Sequence, residues 1–235
     1  MTLEEVMQTL EQLGSEQTKK TFLNHGAKEP FFGVRVGDLK KLVKLVKKDQ
    51  QLALALYDTG NSDAMYLAGL SINPKLIEKE TLQQWVRNAY WYMIAEYTVA
   101  GVTAESNYAL ELAKEWMKSP EEMTAVAGWN TYGHYISITP DEQLDMTEIR
   151  NLLQQVKETI HTERNRVKYV MNGFVINVGG YVKELQNEAK DVATHIGKVH
   201  VDVGNTACKV PLARDYIQKM EDRGKTGQKK KTAIC

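Results

Sequence analysis

The chain has 235 residues, with 30 Lys and Arg side chains against 30 Asp and Glu side chains, so its formal net charge is zero. Hydrophobic residues make up 43% and charged residues 26%, a balance that is typical of globular proteins and excludes disordered, collagen-like and membrane-embedded classes. Two cysteines, Cys208 and Cys235, are too few for a disulfide framework, and no apolar run approaches the ~18 residues of a membrane span. Because the N terminus carries no basic and apolar leader, we expect a cytoplasmic protein that does not enter a membrane.

The zero net charge hides an uneven distribution along the chain. Residues 19–48 carry nine cations and two carboxylates, a local charge of +7, and residues 223–235 carry five cations and no carboxylate. Between residues 96 and 148, ten carboxylates oppose only Lys114 and Lys118. The local field governs binding of a polyanion more than the total charge does, so neutrality does not exclude a nucleic-acid partner.

Three capping boxes predict where helices begin. In residues 2–5, the threonine hydroxyl is placed to accept a hydrogen bond from the amide three residues on, and the glutamate reaches back. Residues 119–122 and 139–142 repeat this pattern and add proline at the first helical position, where a missing N–H is tolerated. We therefore predict that helices begin in these three places.

Apolar residues recur at helical spacing through most of the chain, and turn-forming residues interrupt them at short intervals. The spacing predicts about ten to twelve one-sided helices, too many for a four-helix bundle. Stacked antiparallel helix pairs give such helices a shared core, so we predict an all-α fold of the α-solenoid (superhelix), armadillo type. No repeat of fixed period is present, so the repeats are degenerate. We expect one helical-repeat domain over residues 1–222 and a basic, flexible tail over residues 223–235.

A helix predicted to begin near Asp38 has one basic face and one apolar face. Its lysines follow each other at helical spacing, opposite an apolar stripe. Such a face is either a solvated surface or a row of ammonium groups that contacts phosphates, and the sequence leaves both interpretations open. The lysines are Lys40, Lys44, Lys47 and Lys48, and the stripe is Leu39, Leu42, Val43 and Val46.

Two further basic groups are candidates for phosphate contacts. Arg164, Arg166 and Lys168 open a predicted helix, where cations oppose the helix dipole and add no helix stability. A bound phosphate and a local carboxylate such as Glu163 explain these cations equally well. The basic tail fits a non-specific phosphate-binding arm. Its lysine run is Lys229, Lys230 and Lys231.

One tract resembles a known protein family. It reads Phe-Phe-Gly-Val-Arg at 31–35, followed after a short break by Asp-Leu-Lys-Lys-Leu at 38–42. This tract resembles the early segment of the HEAT-like repeat DNA alkylation repair proteins, a group that includes alkylpurine DNA glycosylases. Together with the all-helical layout, the resemblance extends from about Lys19 to Lys190. It implies a C-shaped stack of HEAT-like helix pairs whose concave, basic face holds duplex DNA.

The active members of that family carry a Trp, three residues and then an Asp on one helix, the Asp stabilising the sugar cation that forms as a damaged base leaves. Here Trp91 matches the family's Trp, but Ala95 occupies the position of the Asp, and a methyl group gives no electrostatic stabilisation. Glu96 is adjacent, yet one step along an α-helix turns a side chain by ~100°. A family Arg falls on Val126, and a second stacking Trp falls on Phe174, which retains an aromatic face.

The resemblance and the basic segments together favour a monomeric protein that binds damaged or branched double-stranded DNA through its phosphates. An active DNA N-glycosylase that excises cationic alkylated purines with Trp91 and Glu96 is one alternative. A protein-interaction scaffold, favoured by the acidic stretch of residues 96–148, is another. The residues expected to contact DNA are Arg35, Lys40, Lys41, Lys44, Lys47, Lys48, Arg164, Arg166, Lys168, Phe174, Lys229, Lys230 and Lys231.

No motif in the sequence indicates a cofactor. Gly-rich phosphate loops, nucleophile elbows, His-Glu-x-x-His and paired-cysteine motifs are absent. Residues 195–208 contain four potential metal ligands, but their spacing matches no zinc pattern. We therefore expect neither a metal ion nor a nucleotide cofactor.

Overall fold

The computed structural model describes residues 1–234, which form 13 α-helices and no β-strand. These residues divide into two compact units. The first comprises Met1–Tyr108, Val203–Ala207 and Ile234, and the second comprises Ala109–Asp202 and Cys208–Ala233. The prediction of an all-α protein is confirmed, with one helix more than the largest number expected.

The first unit contains the N-terminal helices of the chain. They are α1 Leu3–Leu13, α2 Glu16–Asn24, α3 Val36–Val46, α4 Gln50–Asp58, α5 Ser62–Ser71, α6 Lys79–Asn88 and α7 Ala100–Glu105. A 3₁₀ turn spans Pro74–Leu76, and a π-helical segment, Ile94–Val99, leads directly into α7. Helix α5 is buried on nearly all sides and packs against α3, α4 and the π-helical segment. Because it has almost no solvent face, α5 forms the centre of this unit's core.

The second unit is built on two long helices that pack against each other. Its helices are α8 Ala109–Met117, α9 Glu122–Ile138, α10 Met146–Thr159, α11 Asn165–Tyr181, α12 Gln186–Ile196 and α13 Ala213–Asp222. Helix α9 packs against α8 and α11, and α11 also packs against α12 and α13. Gly128 permits the close approach of α8 and α9, since a Cβ there would lie 2.5 Å from the backbone nitrogen of Met117.

One of the three predicted helix starts is confirmed and two are wrong. Thr2 and Glu5 form the reciprocal capping box, with distances of 3.2 and 2.8 Å. Helix α9 begins at Glu122 rather than next to Ser119, and the Ser119 hydroxyl accepts a hydrogen bond from the Glu121 amide, two residues on, instead of from the amide three residues on. The carbonyls of Ser119 and Pro120 accept hydrogen bonds from Arg164. After the third box, residues 141–143 form only a 3₁₀ turn, and α10 begins at Met146 with the preceding aspartate as its N-cap.

The C-terminal segment Cys208–Ala233 packs within the second unit. The division into one domain over residues 1–222 and a tail over residues 223–235 stays a prediction. The amide of Lys230 donates a hydrogen bond of 2.8 Å to the carbonyl of Ser137. The flexibility of the tail stays a prediction. Its last residue, Cys235, lies outside the described residues.

A single buried carboxylate, that of Asp63 on α5, holds the Phe-Phe-Gly-Val-Arg tract in place. Its Oδ2 accepts hydrogen bonds from the amides of Phe32 at 2.6 Å and Gly33 at 2.9 Å, and its Oδ1 accepts from Val34 at 3.1 Å. Burial raises the pKa of the Asp63 carboxyl above its ordinary value, and the three amide donors oppose that rise. Val34 directly precedes Arg35, the N-cap residue of α3, so this Asp63 clamp holds the backbone immediately before the helix.

Gly33 joins the same tract to the start of α2. Its backbone has a φ of +78°, in the left-handed region that favours glycine. A Cβ there would also lie 2.7 Å from the amide nitrogen of Lys19. The Gly33 carbonyl accepts a hydrogen bond of 3.1 Å from the amide of Ser15, the N-cap residue of α2. The tract is therefore bound on one side by α5 and on the other by α2.

Replacing Asp63 with asparagine keeps the size of the side chain but exchanges one acceptor oxygen for an NH₂ group. We expect Asp63→Asn to lower the free energy of unfolding by about 2 kcal/mol, because at least one buried amide of the tract loses its acceptor. Urea unfolding followed by circular dichroism measures this loss.

The matched control for this variant is Asp58→Asn, which changes an exposed carboxylate on α4 of the same unit. We expect it to change the free energy of unfolding by less than ~0.5 kcal/mol. Equal stabilities of the two variants would show that the Asp63 clamp contributes nothing.

Candidate nucleic-acid interface

Helix α3 presents a row of exposed cations opposite its buried stripe. Leu39, Leu42 and Val46 are buried, and Val43 is half-buried, as the periodicity predicted. Lys40, Lys41 and Lys44 lie on the opposite side of α3, and Arg35, Lys47 and Lys48 flank its two ends. We define the basic face as these six exposed cations. The prediction that one side of this helix is apolar and the other basic is therefore confirmed, and α3 begins two residues earlier than expected.

The only carboxylate between residues 35 and 48 is paired within the helix. The Lys41 ammonium lies 2.7 Å from Oδ1 of Asp38, and this hydrogen bond lowers the pKa of the Asp38 carboxyl. Both side chains are near the surface, so the pair contributes little stability. Asp38 neutralises one of the six cations, and the basic face keeps a net charge of about +5 for a polyanion.

Near the basic face, Lys19 is engaged within the first unit. Its ammonium lies 3.3 Å from a carboxylate oxygen of Glu29 and 5.7 Å from the centre of the Phe31 ring. The exposed side chains Lys20 and Lys28 add further positive charge to the same unit. The local charge of +7 over residues 19–48 is therefore mostly at the surface.

The second basic group lies in the second unit, and Arg164 has internal partners there. One terminal nitrogen, Nη1, donates to the carbonyls of Ser119 at 2.9 Å and Pro120 at 2.7 Å. The Nε lies 3.5 Å from the Glu163 carboxylate. These bonds satisfy carbonyls just beyond the end of α8, a structural role that the sequence left open as an alternative to phosphate binding.

The other two cations of this group are half-buried. The amide of Arg166 donates to the Glu122 carboxylate at 2.6 Å, and its guanidinium lies 4.0 Å from the centre of the Tyr169 ring. Such a cation–π contact leaves the guanidinium edge able to donate hydrogen bonds. Phosphate contacts by Arg164, Arg166 and Lys168 stay predictions, since no observation tests them.

The lysine run of the tail is divided between internal contacts and solvent. The Lys229 ammonium lies 2.7 Å from the Asp141 carboxylate and donates to the carbonyl of Ile136 at 2.9 Å. The Lys230 ammonium lies 5.1 Å from the centre of the Tyr181 ring, and the side chain of Lys231 is exposed. Contacts of these lysines with DNA likewise stay predictions, and Lys229 would have to leave its partners to make one.

Trp91 is a core residue in this structure. It is 4% exposed, and its indole Nε1 donates a hydrogen bond of 2.8 Å to the carbonyl of His25, just past the end of α2. Its ring packs against Phe22 and Tyr92, with centroids 5.3 and 5.6 Å away. The Tyr92 hydroxyl lies 3.0 Å from Nδ1 of His25. The indole N–H is therefore bound by the C-cap residue of α2, and the indole ring packs against Phe22 of α2 and the adjacent Tyr92.

Ala95 and Glu96 lie in the π-helical segment. They are 0% and 2% exposed. In a π-helix the backbone hydrogen bond spans one residue more than in an α-helix, so the angle between neighbouring side chains differs from the α-helical one used in the sequence argument. A catalytic role for Trp91 and Glu96 stays a prediction, and it requires both buried side chains to become accessible to a substrate.

The positions that match the family's Arg and second Trp lie in the core of the second unit. Val126 is 0% exposed and Phe174 is 1% exposed. The Phe174 ring meets Trp129 and Tyr132 edge to face, with centroids 5.4 and 5.9 Å away. A contact of Phe174 with DNA stays a prediction, and it requires this packed ring to become accessible.

Sequence reasoning missed Asp63 and His25, which position the candidate interface and cover Trp91. Asp63 had one visible signal, since it stands as an acid in the otherwise small and apolar segment of residues 62–72. No signal marked His25, whose backbone carbonyl rather than its imidazole binds the indole. Among residues 1–234, no cluster of three His, Cys, Asp or Glu side chains is suited to hold a metal ion. Nor is any helix in that part of the chain long and apolar enough to cross a membrane.

The chain is similar to known proteins over its whole length. A protein of Listeria monocytogenes, described as uncharacterised, is 38% identical over 231 residues, which cover 96% of this chain and all of that protein. An uncharacterised protein of Listeria innocua is 35% identical over 95% of this chain and 99% of its own length.

A solved structure shares the fold, with a TM-score of 0.92, 39% identity and full coverage of both chains. It is described as representing a new family related to the HEAT-like repeat DNA glycosylases, with affinity for branched DNA structures. This similarity confirms the predicted HEAT-like architecture. The family of DNA alkylation repair enzymes matches residues 6–196, and the chain therefore belongs to that family.

Proposed function

We propose that this protein binds branched DNA, as a monomer, through phosphate contacts of the basic face on α3, and that it does not excise bases. The observation that carries the proposal is the basic face itself, with six exposed cations in 14 residues and a single, paired carboxylate. Cations in such a row supply affinity for phosphates without reading the base sequence. The affinity for branched DNA that is described for the solved relative supports branched DNA as the class of nucleic acid.

The rigidity of the tract that precedes α3 supports the proposal. The Asp63 clamp ties residues 32–34 to the buried helix α5, and Arg35 follows directly. Long lysine side chains lose conformational entropy when they bind, so a rigid backbone beneath them limits the total entropic cost.

The scaffold alternative has less support, because internal partners engage much of the acidic stretch. Glu148 accepts a hydrogen bond of 2.9 Å from the Tyr132 hydroxyl and lies 2.7 Å from the Lys114 ammonium. Asp141 pairs with Lys229. These carboxylates stabilise the second unit and leave less unbalanced negative charge for a basic partner protein.

The first test compares the salt dependence of DNA binding. We expect wild-type affinity for a three-way DNA junction to fall linearly on a log–log plot against salt. The double variant Lys40→Gln/Lys44→Gln is expected to reduce the slope by ~0.9 for each phosphate that the protein no longer neutralises. Fluorescence anisotropy of a labelled junction over a range of salt concentrations measures both slopes.

The matched control, Lys75→Gln/Lys118→Gln, removes two exposed lysines outside the basic face and changes the net charge by the same amount. Its slope is expected to equal that of the wild type. Identical slopes for the two double variants would rule out α3 as the binding surface.

The second test addresses base excision. We expect the wild type and Glu96→Gln to release free base from methylated DNA at the same background rate as a protein-free sample, because Ala95 supplies no charge to stabilise the sugar cation. Chromatography of the released bases measures the rate. Release above background by the wild type, abolished in a folded Glu96→Gln variant, would instead establish the glycosylase alternative.

A further inference from the structure

Tyr216 on α13 is the most exposed aromatic side chain in residues 1–234. It is 47% exposed, whereas the four tryptophans are each 4% exposed or less. Leu212, one turn earlier, is 44% exposed, so the ring stands at the end of a small apolar surface. Single exposed apolar residues are common on proteins, and the surroundings of this ring distinguish it from them.

The helix that carries Tyr216 is firmly attached to the second unit. Ile217 is fully buried, and a Cβ added to Gly179 would lie only 2.5 Å from the Cδ1 atom of Ile217. Met220 packs in the same way against Gly180. The two glycines let α13 lie close to α11, and the ring of Tyr216 is consequently presented on a rigid backbone.

A lysine contacts the Tyr216 ring, and an arginine follows at the end of the helix. The Lys219 ammonium lies 4.9 Å from the ring centre, and the exposed Arg223 is the C-cap residue of α13. Of the three carboxylates on α13, Glu221 is engaged by the Lys190 ammonium and the amide of Gln218, Asp222 accepts a hydrogen bond of 2.8 Å from Gln218, and Asp215 is exposed. Exposed aromatic rings between cations are the usual arrangement for stacking on an unpaired base while binding the adjoining phosphates.

We propose that Tyr216 stacks on an unstacked base at the branch point of DNA, with Lys219 and Arg223 on the flanking phosphates. This inference rests on the proposed function, and it adds a reason for preferring branched over continuous duplex. In a continuous duplex every base face is covered by its neighbours, whereas bases at a branch point lose a stacking partner and offer a π-face. An aromatic ring on a rigid helix then discriminates between the two structures without reading the sequence.

The experiment uses full-length protein, a three-way junction with 2-aminopurine at the branch point, and a continuous duplex of the same length and composition. We expect Tyr216→Ala to weaken junction binding by about tenfold and duplex binding by less than about twofold, because the variant has no ring to stack on the base. Tyr216→Phe is expected to bind both DNAs like the wild type, since the ring remains. Quenching of 2-aminopurine fluorescence at saturating protein is expected for the wild type and Tyr216→Phe but not for Tyr216→Ala.

Asn187→Ala, which changes an exposed and uncharged side chain on α12 of the same unit, is the matched control and is expected to retain both the affinity and the quenching. Junction affinity and quenching that are unchanged in Tyr216→Ala would overturn the role of Tyr216 and leave the proposed function standing. Equal weakening on junction and duplex would also overturn it, because stacking at a branch point does not affect duplex binding. Failure of the wild type to bind either DNA at low salt would instead overturn the proposed function.

Discussion

The candidate interface depends on one interaction, in which a buried carboxylate accepts hydrogen bonds from three consecutive backbone amides. The Asp63 side chain belongs to α5, the most deeply buried helix of the first unit, and it holds residues 32–34 directly before the basic helix. An isolated buried carboxylate is costly, but three amide donors supply the hydrogen bonds that water would otherwise provide. The backbone that leads into the basic face is therefore held by a carboxyl group in the core.

Local patterns predicted the features that neighbours in sequence determine. The apolar stripe of α3 and the capping box at Thr2 are both formed by residues within one or two helical turns, and both have the predicted form. The boxes at Ser119 and Thr139 have the same local pattern, yet tertiary contacts prevail there. Arg164 donates a hydrogen bond to the carbonyl of Ser119, which lies 45 residues earlier in the chain. Local sequence patterns carry no information about contacts at that separation. Local patterns could not predict the Asp63 clamp for the same reason, because it joins residues about 30 apart.

The family resemblance predicted the architecture correctly. The residues that the resemblance links to catalysis have a different setting in this chain. The aromatic residue matching the family's Trp is retained as Trp91, but here its indole binds the carbonyl of His25 and its ring lies in the core. Ala95 and Val126, the positions that the resemblance matches to the Asp and Arg of active members, both lie in the core. A fold constrains packing and leaves function to particular side chains, so the shared architecture alone does not determine the chemistry.

The π-helical segment Ile94–Val99 changes how this chain is to be compared with its relatives. Each of its backbone hydrogen bonds closes a ring that contains one residue more than the ring of an α-helix. A homologue with an uninterrupted α-helix here accommodates one residue fewer in the same length of axis. Against such a homologue, structural equivalence and ungapped sequence alignment would differ by one position inside this segment, and Glu96 rather than Ala95 would then be the structural counterpart of the residue aligned with Ala95.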